Sequence, residues 1–384
     1  MSNKKIQGNI KQAGRHAASP PAWPRRRVLQ TLAVLGQGAT VASAWAQSRA
    51  KPSVNGKPGK ALEPPKPEKR SLTVAINNAS ALVYLPLLVA EKRGFFAQQG
   101  LELALVEHPS SARAMQALAA GQADAFCGWL ENALSPAGRA LALQSYVHMG
   151  RAPMMALGIA SKFITTSEAS ALSQLRNRLL GVVALNSPTH TMALALLRSA
   201  GLRSGDIRIV SVGSAASAAA ALRSGQIDVL MHMDPLMLQL EQRGEVRIVA
   251  DLRSPELCAQ QLGAALPSSC LCANLEFFQR FPGLAQASAD AMFQALQWLS
   301  QASLRDVLHL FPDGWPGTDM QLMVASISRL RNAYAPDGLC AALEVKSLWQ
   351  AMLEAEPTMR LENTDPLRSC TNAFMQRSAA RLRV

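Results

Sequence analysis

The chain has 384 residues and a formal net charge of +13, from 39 Lys and Arg against 26 Asp and Glu. Hydrophobic residues are 49% of it and charged residues 17%, which excludes a disordered or coiled-coil protein and allows a sizeable core. The charge is uneven: residues 1–70 carry a net of +12 and residues 71–384 a net of +1, so a nearly neutral body offers little to nucleic acid.

The N-terminus reads as an export signal. A basic, polar stretch runs from Met1 to Pro24, an apolar Ala- and Gly-rich run from Thr31 to Ser43, and Ala44-Trp45-Ala46 places small residues where a signal peptidase cuts. Arg25 and Arg26, followed by Arg27-Val28-Leu29, look like a twin-arginine motif, with Pro24 and Gln30 as departures. The run is shorter than the ~20 apolar residues a bilayer span needs, so residues 1–46 are expected to be cleaved, leaving a periplasmic protein with no stable membrane insertion. Residues 47–70 are rich in Pro and Lys and read as a disordered tether. In an oxidising compartment the candidate disulfides are Cys258 with Cys270 or Cys272, and Cys340 with Cys370. Cys127 reads as a small core residue.

The body alternates strands and helices. Leu72–Ile76, Leu101–Glu107 and Ala123–Gly128 read as strands, separated by helices over Tyr84–Gln98 and from Ser110 to Ala120. A second block repeats the order: strands at Leu180–Leu185, Ile207–Val212 and Ile227–Met231, with helices over Ser187–Ala200 and Ser214–Ser224. The blocks share a motif, Ala117-Leu118-x-x-Gly121-Gln122-x-Asp124 against Ala221-Leu222-x-x-Gly225-Gln226-x-Asp228. The Gly lets each helix end in a left-handed turn, and the Asp leads into a strand. Such alternation implies two parallel α/β sheets.

Ligands of such sheets bind beyond the carboxyl ends of the strands. There the sequence places Asn77, Asn78, Ser80 and Tyr84; Trp129, Glu131 and Asn132; Asn186, Ser187, Thr189, His190 and Thr191; and His232, Asp234 and Pro235. Two facing lobes would bring them to one cleft. Ser187 and Thr189 suit a helix N-terminus, as caps or as an anion site. Trp129 and Tyr84 are either core aromatics or a stacking surface. Glu131 and Asp234 are either caps or acceptors for amine or N–H donors. His232-x-Asp234 has a weak metal-like spacing. There is no phosphate-binding loop, dinucleotide fingerprint, nucleophile elbow or zinc His-Glu-x-x-His, so neither a catalytic residue nor a cofactor is expected.

The string Leu85-Pro86-Leu87-Leu88-Val89-Ala90-Glu91-Lys92-Arg93-Gly94-Phe95-Phe96, with Gly100-Leu101 and the Gly121-Gln122-Ala123-Asp124 turn, resembles the substrate-binding proteins of ABC importers that serve nitrate, alkanesulfonates, taurine and thiamine-pyrimidine precursors. The likeness continues through Gly181-Val182-Val183, Asp234-Pro235 and Asn274-Leu275-Glu276-Phe277-Phe278, over about Leu72 to Trp298. It implies a type II periplasmic binding fold: lobe 1 from 71–155 and 268–384, lobe 2 from 156–267, crossings near Met149–Ala160 and Ser268–Ala273, and an interlobe cleft. It also implies a monomer that closes by a hinge on a small molecule and docks on a membrane ABC permease. The ligand contacts carried over are Asn77, Tyr84, Trp129, Glu131, Ser187, Thr189, His190 and Asp234. The two acidic residues favour a heteroaromatic or amine-bearing solute over a nitrate- or sulfonate-like anion. The tail after Ser303, with helices at Thr318–Ala333 and Ala341–Glu354, is expected to pack on lobe 1. A sensory receptor of the same fold is the alternative. A thiamine-pyrimidine-synthase-like enzyme fits less well: the body has only Lys92, Lys162 and Lys346 and no cysteine cluster in sequence.

Overall fold

A computed structural model describes residues 66–164, 171–315, 319–356 and 364–382. The signal and residues 47–65 of the tether lie outside the described residues. The end of the expected tether is packed: Glu68 accepts hydrogen bonds from Gly283 N and Leu284 N at 2.9 Å, and Lys69 pairs with Asp124 at 2.5 Å. A carboxylate at exposed helix N–H groups explains why this Pro- and Lys-rich stretch has a fixed place.

The strands are β1 (Ser71–Asn77), β2 (Glu102–His108), β3 (Ala125–Trp129), β4 (Leu143–His148), β5 (Met155–Ala160), β6 (Leu179–Val182), β7 (Arg208–Ser211), β8 (Val229–Met233), β9 (Val246–Leu252) and β10 (Ser269–Asn274). The helices up to the second lobe are α1 (Leu85–Lys92), α2 (Phe95–Gln98), α3 (Ser111–Ala119), α4 (Leu130–Leu134) and α5 (Pro136–Ala140). Lobe 2 carries α6 (Pro188–Ser199), α7 (Ala215–Ser224), α8 (Leu236–Gln242) and α9 (Pro255–Leu262). The rest are α10 (Leu275–Arg280), α11 (Pro282–Gln301), α12 (Leu304–His309), α13 (Met320–Leu330), α14 (Ala342–Ala355) and α15 (Ala373–Leu382). The single helix expected over Tyr84–Gln98 is two, because Gly94 sits at φ 71° between them.

Two five-stranded sheets have matching orders, β2-β1-β3-β10-β4 and β7-β6-β8-β5-β9. Each is parallel except for one strand: β10 runs antiparallel to β3 and β4, and β5 antiparallel to β8 and β9. The antiparallel strand of each sheet is the one that follows a passage of the chain from the other sheet.

The repeated motif does the same work in both lobes. Gly121 and Gly225 take φ 70° and 77° at the helix ends, and Gln122 N and Gln226 N donate back to Ala117 O and Ala221 O at 2.9 Å. Asp124 Oδ2 then accepts Thr73 N of β1 at 2.9 Å, and Asp228 Oδ2 accepts Leu179 N of β6 at 3.0 Å. The aspartate thus fastens the third strand of each lobe to the start of the first.

The tail is built onto lobe 1 by α15, which lies on α11 through a buried network of Gln286, Asp290 and Ser378, with Arg381 paired to Asp290. It also reaches lobe 2, where α14 packs on α6 and α13 on α8. The reach to lobe 2 goes beyond the expected packing on lobe 1: α14 presents buried Val345, Leu348, Trp349 and Met352, and part of that apolar face is covered by lobe 2.

All six cysteines are free thiols. Cys258 does not meet Cys270: it bonds Ala264 O on lobe 2, while Cys270 and Cys272 lie on β10 with their sulfurs 3.4 Å apart. Cys340 lies against the segment of Cys370, since Asn372 bonds Cys340 N and O at 3.1 and 2.9 Å. Cys127 is buried in β3.

Candidate functional site

In each sheet the chain moves outward from the first strand to the second, then returns to the other side of the first for the third. The gap between first and third strands is where parallel sheets open a crevice at their carboxyl ends. The loops at that gap are 78–84 and 129–132 in lobe 1, and 183–190 and 232–235 in lobe 2. The first loop of each begins or passes through a left-handed Asn, Asn78 at φ 52° and Asn186 at φ 60°.

Most of the expected contacts use their polar atoms locally. Asn77 Oδ1 accepts from Tyr84 Oη at 3.3 Å and Ser111 Oγ at 3.0 Å, and Tyr84 is buried. Ser187 occupies the N-cap place of α6, yet its hydroxyl donates to Ala184 O at 2.6 Å instead of capping. Thr189 Oγ1 meets Ser187 Oγ at 2.9 Å and accepts Val183 N at 3.0 Å. His190 Nδ1 accepts Asn186 N at 3.2 Å, and partial burial lowers its pKa. These three side chains tie the 183–190 loop to itself. Trp129 is buried at the end of β3, its backbone N–H bonded to Asn132 Oδ1 at 3.1 Å.

Two acidic residues behave differently. Asp234 Oδ1 caps α8 through Leu238 N at 3.0 Å and pairs with Arg253 at 3.2 Å. Burial raises its pKa and Arg253 opposes that. Arg253 is only 1% exposed and also reaches Asp251 at 2.7 Å and Glu241 at 3.4 Å, while Glu241 meets Arg329 of α13 at 2.5 Å. Sequence reading missed Arg253; its place directly after β9, two residues past Asp251, was the available signal. Glu131 is 7% exposed and makes no ion pair among the described residues, and burial pushes its pKa up to about 8. It is therefore protonated at neutral pH.

Buried polar atoms without a hydrogen-bond partner around the junction include Glu131 Oε2, Ser268 Oγ, His232 Nε2 and Asp234 Oδ2, with His148 Nδ1 at the end of β4. Ser268 precedes β10, where its carbonyl accepts Leu130 N at 2.9 Å, next to Glu131. A Cβ on Gly150 would meet Ser268 Oγ at 2.0 Å and Met154 Cε at 3.0 Å, so both chain crossings touch there. Met155, next in the chain, is the register partner of Met233 between His232 and Asp234. Burial lowers the His232 pKa to about 4, and its Nδ1 is taken by Met233 N at 2.9 Å. Among the described residues no group of three or more His, Cys, Asp or Glu could hold a metal ion, and no helix is long and apolar enough to cross a membrane.

Two sheets of matching order, joined at a junction that buries unpartnered polar atoms, define a periplasmic binding protein fold, and solved structures share it. Residues 65–309 match the NMT1-like family, and the chain belongs to it. A protein of known structure from Bordetella bronchiseptica RB50 is 29% identical, covering 83% of this chain and 100% of that one with a TM-score of 0.74. The periplasmic aliphatic sulphonate binding protein SsuA of Escherichia coli is 16% identical over 80% of this chain and 99% of its own, with a TM-score of 0.63. The periplasmic nitrate-binding protein NrtA of Synechocystis PCC 6803 is 13% identical over 82% and 90%, with a TM-score of 0.63. No curated protein sequence matches the chain.

Proposed function

We propose that this chain is a periplasmic receptor that captures a small polar or heteroaromatic solute between its lobes and delivers it to an ABC-type import permease. It acts as a binding protein, exported through the Arg25-Arg26 signal. The observation that carries the reading is the set of unpartnered buried atoms at the lobe junction, Glu131 Oε2, Ser268 Oγ, His232 Nε2 and Asp234 Oδ2. A buried polar atom without a partner costs about 1–3 kcal/mol, which a solute able to bond these atoms would return. Asp234 Oδ2 accepts, whereas His232, with Nδ1 accepting Met233 N, carries its proton on Nε2 and a protonated Glu131 offers one O–H, so the set suits a solute with both N–H donors and acceptors, such as an aminated heterocycle, better than the sulphonate or nitrate named for the solved relatives.

The test is a thermal-shift screen of the purified chain against amines, aminated heterocycles, sulfonates and nitrate, with mass spectrometry of whatever co-purifies. A solute present at 100 times its Kd should add about 2.7 kcal/mol of stability. Stabilisation by an N–H donor that is lost in Glu131→Ala supports the reading. Stabilisation by nitrate or sulfonates alone would reverse the solute class, and no stabilisation with no co-purifying molecule would reject the receptor reading.

A further inference from the structure

The segment Asp319–Glu356 touches lobe 1, the first chain crossing and lobe 2. Tyr334 Oη donates to Leu82 O at 2.8 Å, in the loop that follows β1 of lobe 1. The backbone beside it runs along the crossing: Tyr334 pairs with Gly150, Arg151 N donates to Ala333 O at 2.7 Å and Ala335 N to Met149 O at 2.9 Å. On lobe 2, Arg329 of α13 meets Glu241 of α8 at 2.5 Å. The next helix, α14, lies on α4 of lobe 1 and α6 of lobe 2. It ends at Glu356, whose charge is felt by His190 in the first turn of α6.

We propose that Asp319–Glu356 is an intramolecular clasp. It holds lobe 2 against lobe 1 through the Arg329–Glu241 pair and the α14–α6 face, and its release from lobe 2 is the step that opens the cleft. The anchoring is asymmetric. On lobe 1 and the crossing, Tyr334 is buried and its neighbours are fixed by backbone bonds. On lobe 2 the ion pair has side chains 38% and 32% exposed, so it is the weaker of the two lobe 2 contacts, the α14–α6 face being the firmer, and the first to let go.

The weak end is also wired to the junction. Arg329 meets Glu241 at 2.5 Å, Glu241 meets Arg253 at 3.4 Å, and Arg253 meets Asp234 Oδ1 at 3.2 Å. Asp234 is one of the residues with an unpartnered oxygen at the junction, and the charge of Arg329 is felt there. A solute bonded to Asp234 therefore acts on the charges that secure the clasp, and by linkage the clasp acts on the solute.

The clasp is tested on the full chain with no solute added, so its failure and the failure of the receptor reading are separate results. Arg329→Glu adds an acidic group to the cluster of Glu241, Asp234 and Asp251, on a side chain exposed enough to leave folding intact. Amide hydrogen exchange in α13, α14 and α6 should rise about three- to tenfold and the radius of gyration by small-angle scattering should grow, while β1 and β3 keep their protection. Arg329→Lys should behave as the parent. Tyr334→Phe removes the bond to Leu82 O at nearly constant volume and should loosen the same helices, providing a second reading if Arg329→Glu is poorly soluble. Unchanged exchange in α13, α14 and α6 with unchanged dimensions in both variants would overturn the clasp. So would a rise that extends equally through β1 and β3, which would be a general loss of stability.

Discussion

Glu131 and Asp234 stand at matching places in the two lobes, each just after the third strand of its sheet, and each carboxyl is buried. Lobe 2 meets the cost with cations: Arg253 lies against Asp234 and is shared with Asp251 and Glu241, and Arg329 adds a second positive charge at Glu241. Lobe 1 supplies no cation, so Glu131 keeps its proton, with a pKa pushed up to about 8. One site carries a fixed charge network and the other a group whose charge depends on what comes near it. A pseudo-repeated architecture can thus hold two acids of opposite habit, and the neutral one is free to ionise against a cationic or N–H-donating solute.

The largest effect should follow from removing the buried cation. Arg253→Ala leaves Asp234 buried beside Glu241 and Asp251 without compensation, and should cost about 3–5 kcal/mol of stability by urea unfolding. Asp234→Asn should cost less, because Arg253 keeps Asp251 and Glu241. Equal costs would mean that Asp251 and Glu241 do not satisfy Arg253 once Asp234 is neutral.

Next comes the pH dependence. Folding holds the proton on Glu131, so between its ordinary 4.5 and about 8 the folded chain binds more protons than the unfolded one. Its contribution to stability is full below about pH 4.5 and is lost as pH rises toward 8. Glu131→Gln should remove that slope and leave the variant about 2–4 kcal/mol more stable than the parent at pH 8. His232 in lobe 2 has the opposite sign. Its pKa falls from 6.5 to about 4, so its contribution is present above pH 6.5 and lost as pH falls toward 4. His232→Gln should flatten the acid side of the profile and leave the alkaline side unchanged. The two windows overlap between pH 4.5 and 6.5, so the sign decides: if both variants changed the slope there in the same direction, the assignment of charge states to the lobes would be wrong.

Much of the fold could be read in the sequence because it is written locally. The apolar runs of β1, β3 and β8, the Gly-Gln-x-Asp turns and the cap of α3 by Ser110 each sit within a few residues. The strands β4 and β9 were not read: Gln144, Ser145 and His148 interrupt the first, and Arg247 and Asp251 the second. The strand ends were legible as positions more than as charge states. The strand-end rule located Glu131, His232 and Asp234, but the division of labour between two carboxylates depends on Arg253, nineteen residues past Asp234. Ser268, Tyr334 and Arg329 were missed because their importance comes from long-range contact alone.

The smallest predicted difference tests the repeat itself. Asp124 and Asp228 make the same bond to the first strand of their lobes, at 2.9 and 3.0 Å, so each Asp→Ala change should cost about 1–2 kcal/mol. Asp124 has one partner more, Lys69 at 2.5 Å, with side chains 34% and 14% exposed. An ion pair that exposed is worth about 0.2–1 kcal/mol, so Asp124→Ala should exceed Asp228→Ala by that margin. Lys69→Met should erase the excess in a double-mutant cycle and leave the Asp228 value untouched. If the excess survives in the Lys69→Met background, the extra weight of lobe 1 lies in the strand junction, and the segment before β1 contributes nothing to it.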